Sequence, residues 1–298
     1  MRKKSIFILS FFLNFLLVNS QSLFVKDVQK KDIIPFANYF LFLDSAFVHG
    51  GYCSDDGKIN IPKDILFNKI KVTSLGYENL EVLKNNLSTD TLLLTPTVYP
   101  LKEVIIKASK KEEFTTLGYS KSKRKSHLSA SKGRKICTFV DNPLNEPKII
   151  HSFLLRIGNL YPTKVGFKLH LFEKDTITNT PGKELLQQEI IVILDGKSRK
   201  LIDHDVSRYN IEFPAKGAFV GIEWFGVLNE ENSTFKSVDF QNGYIELNDV
   251  SENCDTFQQD VFSFYPWKNM ERFKDKVKED VVYKNCPTAS FGIIIYKD

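Results

Sequence analysis

Cys53-Ser54-Asp55-Asp56-Gly57-Lys58-Ile59-Asn60-Ile61 places two acidic residues and a glycine directly ahead of an apolar alternation. Such a stretch can be a metal loop, a phosphate cradle or a turn between strands. A calcium loop needs oxygen ligands at alternate positions, and Lys58, Ile59 and Ile61 supply no such side chains. Asp-Gly does supply the positive-φ geometry that a tight hairpin needs. The stretch is therefore expected to be a hairpin turn between two strands, in which Cys53 has no assigned role.

The flanking sequence repeats the theme. Short alternating runs from Leu23 onward are broken by turn signals every 8–12 residues or so, the pattern of an all-β domain. Tyr39 to Leu43, Lys58 to Ile61, Lys69 to Thr73, Thr91 to Leu94 and Glu103 to Ile106 read as strands. Only Asp64–Asn68 and Glu78–Asn85 show a brief helical spacing. After Ala108 the composition turns basic, and a second β block follows. Its expected strands are Ile149 to Ile157, Val165 to Phe172, Gln188 to Leu194, Arg199 to Val206, Ala218 to Val227, Tyr244 to Leu247 and Ser290 to Tyr296. Asp195-Gly196 is a second hairpin signal. The expected fold class is all-β: two antiparallel β-sandwiches at 21–108 and 136–298, joined through a basic linker and edge strand at 109–135.

The chain has 298 residues, 42% hydrophobic and 26% charged, so it can bury sizeable cores. Met1-Arg2-Lys3-Lys4, the apolar Ile6 to Val18 and Val18-Asn19-Ser20 make residues 1–20 a secretory signal peptide; a retained anchor is the bland alternative. Removing Arg2, Lys3 and Lys4 leaves 38 basic against 36 acidic residues, net +2. That charge is uneven: net zero over 21–108, +7 over 109–135 and −5 over 136–298. Within the basic segment Lys121, Lys123, Arg124 and Lys125 form a cluster that could touch an anionic surface, although a solvated linker explains it as well. No aromatic residue interleaves there, so a nucleic-acid platform is not expected.

Four cysteines in an exported chain allow disulfides. None forms a CxxC pair, and Cys254 and Cys286 lie in one region and are expected to pair, leaving Cys53 and Cys137 unassigned; four reduced, buried thiols are the alternative. The histidines His49, His127, His151, His170 and His204 show no HExxH spacing. His170 and Glu173 on one strand point to opposite faces. Gly196-Lys197-Ser198 lacks the upstream glycine of a phosphate loop, since position 191 is Ile191, and no GxSxG elbow is present. No catalytic, metal or cofactor site is expected. A late aromatic cluster, Phe257, Phe264, Tyr265 and Trp267 with neighbouring Phe262 and Phe273, offers flat apolar faces that could stack on sugars; the alternative is that they cover a sheet edge. Trp224, in an alternating apolar run, is expected in the core.

"CSDDGKINI", "IKVTSLGYENLEV", "DTLLLTP" and "LKEVIIKA", in that order over roughly 24–108, resemble the carboxypeptidase-regulatory-like domain. That resemblance implies a transthyretin-like sandwich of the type common in exported Bacteroidetes proteins. "FKLHLFEKDTITNTPGKELL" and "DHDVSRYNIEFPAKGAFVGIEW" resemble the jelly-roll-like half that accompanies it in such proteins, which carries no established activity. The functional expectation is an exported periplasmic or outer-surface protein, non-catalytic, serving binding or assembly with an envelope protein or glycan. The alternatives are a carbohydrate-binding accessory protein of a polysaccharide-utilisation system, and a hydrolase with a dispersed site.

Overall fold

The computed structural model describes residues 22–97, 113–121, 126–159, 164–196, 198–229, 234–236, 243–248, 253–273, 277–278, 281–282 and 285–297. The expected signal peptide, the expected strand at 103–106 and Lys123, Arg124 and Lys125 lie outside them. Among the described residues 22–73 and 79–95 form one compact unit, and 74–78 with the residues beyond 96 form another. Among the described residues strands dominate both, with three short 3-10 turns and no α-helix. No described helix is long and apolar enough to cross a membrane.

The first unit contains β1 (Ser22–Asp27), β2 (Asn38–Leu43), β3 (Ala46–Tyr52), β4 (Lys58–Asn60), β5 (Lys69–Thr73), β6 (Leu80–Leu83) and β7 (Thr91–Leu94). They form a three-stranded sheet β4-β1-β7 and a four-stranded sheet β3-β2-β5-β6. Alternation decides the buried faces: Leu23, Val25, Ile59, Leu92 and Leu94 from the first sheet, Tyr39, Leu41, Ile70 and Val72 from the second. Two expectations are corrected. Within Glu78–Asn85, Leu80–Leu83 is strand β6 paired with β5 and a short 3-10 turn, Lys84–Asn86, follows it, and Asp64–Asn68 forms no helix. Not every pair is antiparallel either: β1 and β7 run parallel, Val25 opposite Leu92. A parallel pair needs a long crossover, and here the whole four-stranded sheet is that crossover.

The Asp-Gly turn departs from its expected role in a similar way. Gly57 N–H donates to Ser54 O at 3.0 Å and Ser54 N–H to Lys58 O at 2.9 Å, closing the turn on itself. The Asp56 carboxylate accepts from the Ser54 hydroxyl and, at 3.2 Å, from Lys58 N–H. Yet β3 pairs with β2, whereas β4 pairs with β1 in the other sheet. The turn is an arch between sheets, not a hairpin. Cys53 is its anchor on the near side: its N–H donates to Ala37 O at 2.9 Å, and its buried sulfur accepts from Ala37 N–H at 3.1 Å and donates to Ile34 O at 3.3 Å. Gly57 O receives Val25 N–H at 2.9 Å on the far side. Nearby, burial and then the Cys53 thiol push the Tyr39 phenol up to about 12. Gly57 has φ +75°, and a Cβ there would stand 2.9 Å from Val25 O. Gly57→Ala is expected to destabilise the first unit by about 1–3 kcal/mol. Urea unfolding followed by hydrogen exchange in β1 and β4 checks this, and unchanged protection there would refute it.

The second unit runs β8 (Phe114–Gly118), β9 (Ser126–Ser129), β10 (Arg134–Val140), β11 (Lys148–Asn159), β12 (Val165–Lys174), β13 (Pro181–Glu184), β14 (Ile191–Leu194), β15 (Ser198–Asp205) and β16 (Glu212–Phe213). It continues with β17 (Ala218–Asn229), β18 (Thr234–Lys236), β19 (Gly243–Asn248), β20 (Thr256–Asp260), β21 (Lys268–Asn269), β22 (Val277–Lys278), β23 (Val281–Val282), β24 (Thr288–Ala289) and β25 (Phe291–Tyr296). One sheet is ordered β13-β12-β17-β10-β20-β21, with β14 and β18 alongside; the other is β24-β19-β11-β25-β8, with β9, β15 and β16 alongside. A single apolar core takes Phe167, Val220, Ile222 and Trp224 from the first, and Phe153, Leu155, Ile245, Phe291 and Ile293 from the second. Trp224 stacks on Phe167 with centroids 5.9 Å apart. The segment expected as linker and edge strand contributes β8 and β9 to this sandwich, and Arg134 opens β10.

Asp195-Gly196 is also an arch. β14 pairs with β12 in one sheet, while β15 pairs with β11 in the other. Four Cα steps from Leu194 to Ser198 reach about 14 Å, enough to cross the roughly 10 Å between packed sheets. Gly196 supplies φ +68° at the corner.

Candidate functional site

Strand register builds a small polar groove at one margin of the first sheet of the second unit. Arg134 on β10 lies opposite Asp260 on β20, and Gln258 lies opposite Lys268 on β21. Opposed residues and residues two apart share a face, so these four side chains converge. The groove of about 160 Å³ is completed by Gln259, Ser263, Tyr265 and Pro266. Phe262 N–H donates to Asp260 Oδ1 at 2.9 Å, and the Ser263 hydroxyl donates to Asp260 O at 3.1 Å, so Asp260 turns the chain. Phe264 follows with φ +55°, left-handed geometry that costs a non-glycine residue about 1–2 kcal/mol. Gln259 Nε2 holds Tyr265 O at 3.0 Å. The consequence is that Phe264 and Tyr265 are 59% and 61% exposed.

The four aromatic residues named from sequence therefore divide. Phe257 is only 7% exposed and meets Phe219 edge-on at 5.5 Å, so it is core and unavailable to a ligand. Trp267 is half-buried against Phe172 at 5.4 Å. Phe264 and Tyr265 alone present rings to solvent. The cause is the alternation of β20: Phe257 points at the second, smaller apolar cluster with Cys137, Phe172 and Phe219. Sequence reading passed over the polar half of the groove, because Arg134, Gln258, Gln259 and Asp260 only converge through pairing. Lys121, the one described member of the basic cluster, is exposed.

The same sheet carries a buried charge network on its other face. Lys135, Glu223 and Lys168 stand in one row across β10, β17 and β12. Glu223 Oε2 lies 3.2 Å from Lys135 Nζ, and Lys168 Nζ lies 2.8 Å from Glu189 Oε1. In the next row His170 Nδ1 is 2.5 Å from Glu184 Oε2, and its Nε2 is 3.3 Å from Glu223 Oε2, a charge contact rather than a directed hydrogen bond. Burial on its own would depress His170, but the Glu184 carboxylate and the contacts from Glu184 and Glu223 outweigh it and raise the imidazole pKa. Burial would raise Glu223, yet Lys135, His170 and Lys168 hold it far below the usual carboxylate range. Burial and then Glu184 push the Cys137 thiol up, which leaves it an inert buried group. In this gathering Glu223 and Lys168 are buried, whereas Lys135, Glu184 and Glu189 each keep part of their side chain at the surface. Among the described residues no group of three His, Cys, Asp or Glu is arranged to hold a metal ion.

Cys254 and Cys286 are joined in a disulfide with Cα atoms 5.1 Å apart. Each stands two residues ahead of a strand, β20 in one sheet and β24 in the other, so the bond staples the two sheets and closes the excursion that carries Tyr265. Cys53 and Cys137 are buried outside any disulfide. A disulfide is compatible with an oxidising compartment. No family model, curated protein or solved structure matches the chain.

Proposed function

We propose that the chain is an exported, non-catalytic binding protein of the cell envelope that holds a glycan in the Tyr265 groove. The observation that carries this reading is the exposure of Phe264 and Tyr265 beside convergent amides and charges. A flat apolar ring edged by hydrogen-bonding groups suits a pyranose, which has an apolar C–H face and a hydroxyl rim. The leader-like N-terminus and the disulfide support export. The order of turn and strand motifs over 24–108 supports a carboxypeptidase-regulatory-like first unit, and the second unit is read as its jelly-roll-like companion.

Electrophoresis through gels containing single polysaccharides tests the reading. One or more polymers should retard the protein, and Tyr265→Ala should weaken retardation about tenfold or more, since an aromatic platform contributes roughly 1–3 kcal/mol. Equal retardation of the two proteins would refute it. A second reading, assembly with a protein partner by strand addition, is favoured by β8, which ends the described sheet path and leaves Phe114 exposed.

A further inference from the structure

We infer that the sugar taken by the Tyr265 groove is anionic, a saccharide whose carboxylate or sulfate is held by Lys268 and Arg134. This rests on the glycan reading above and names its substrate class. Two cations and one carboxylate line the groove, and the carboxylate is engaged in turning its own loop, with Phe262 N–H on Oδ1. Arg134 belongs to the basic segment 109–135, net +7, and Lys268 to the stretch 136–298, net −5. With two cations and one carboxylate the groove itself is net positive, which favours an anion.

The placement of Lys268 strengthens the case. Its Nζ lies 4.8 Å from the Tyr265 ring centroid, over the surface that a sugar would cover. An exposed cation–π contact is weaker than a hydrogen bond between charged groups. An arriving acid group therefore draws the ammonium off the ring, and the same movement bares the ring for stacking. A neutral sugar gains no such exchange and must displace the lysine without compensation. The volume of about 160 Å³ lies below the ~300–1,000 Å³ of pockets that enclose drug-sized ligands. One ring of a polymer is gripped, and its neighbours remain outside.

The test uses matched polymers in gel retardation of the full mature chain: polygalacturonate against its methyl ester for carboxylate, and carrageenan against agarose for sulfate. The expected result is at least tenfold stronger retardation by one charged member than by its neutral partner, reduced by raising the salt. Lys268→Glu should abolish that preference while leaving weak ring-dependent binding, and Tyr265→Ala should remove both. Lys268 is exposed, and an unchanged melting curve confirms that the variant folds. Equal retardation by charged and neutral partners, or a Lys268→Glu protein that keeps the preference, would overturn the anionic assignment while the glycan reading stands. Absence of retardation by all four polymers would overturn both.

Discussion

Glu223→Gln is expected to destabilise the second unit by about 3–5 kcal/mol, the cost of removing one partner from a buried charge set. Glu223 neutralises Lys135 and touches His170, with Lys168 opposite it across the strand pair. Without its charge, Lys135, Lys168 and His170 are left in this network with Glu184 and Glu189. The double change Lys135→Met with Glu223→Leu should cost much less, because Lys168 keeps Glu189 and His170 keeps Glu184. Both tryptophans, Trp224 and Trp267, belong to this unit, so fluorescence during urea unfolding reports it alone. A single variant within about 1 kcal/mol of wild type would refute the network.

The same network predicts a pH window. His170 is raised in the folded state from 6.5, so its contribution is complete below 6.5 and is lost as pH rises through the higher folded value. Glu223 is depressed from 4.5, so its contribution is complete above 4.5 and is lost only in strong acid. Both are fully present between about 4.5 and 6.5, and the urea midpoint should fall as pH rises above that range. His170→Asn should flatten this alkaline decline. An equally steep decline in the variant would assign it to other groups.

Replacing both Cys254 and Cys286 by serine is the second large effect expected. The bonded residues are 32 apart in sequence, and closing a loop of that length in the unfolded chain corresponds to about 3–4 kcal/mol. The local consequence should exceed the global one. β20 pairs along its length with β10 but on its other side only through Phe257 and Gln258 with β21, and Thr256 beside the disulfide links the sheets, donating to Thr138 Oγ1 at 3.0 Å and receiving Ala289 N–H at 3.2 Å. Loss of the staple should therefore loosen the 255–285 excursion and weaken glycan retardation under conditions where Trp224 remains buried. Thiol titration in denaturant supplies the check: two thiols without reductant and four with it. Four thiols without reductant would show that the bond does not form.

Much of the strand pattern was legible because alternation is local. Lys69–Thr73 and Thr91–Leu94 could be read from their own residues, as could the burial of Trp224. β10 and β20 were not legible. One begins inside a basic segment that resembles a linker, and the other ends in Gln258-Gln259-Asp260, which resembles a loop. On β12, Lys168 and His170 alternate with Phe167, Leu169 and Leu171, the pattern of a strand with one wet face. Lys168 and His170 are nonetheless buried there, because Lys135, Glu223, Glu184 and Glu189 arrive from distant segments with matching charge. The groove was half legible: exposed rings were foreseen as a group, but only the side on which each falls separates Tyr265 from Phe257.

At Asp55-Asp56-Gly57 and Asp195-Gly196 the sequence by itself determined a tight turn, because glycine adopts φ near +70° without strain; at the first of them Asp56 also accepts from Lys58 N–H. Which strands each turn joins was decided by tertiary structure alone. β4 and β15 are each held by partners more than thirty residues away, β1 and β11, across the sandwich from the strand just left. Local dihedral preference sets the bend, and the burial of two facing sheets sets where the chain goes next.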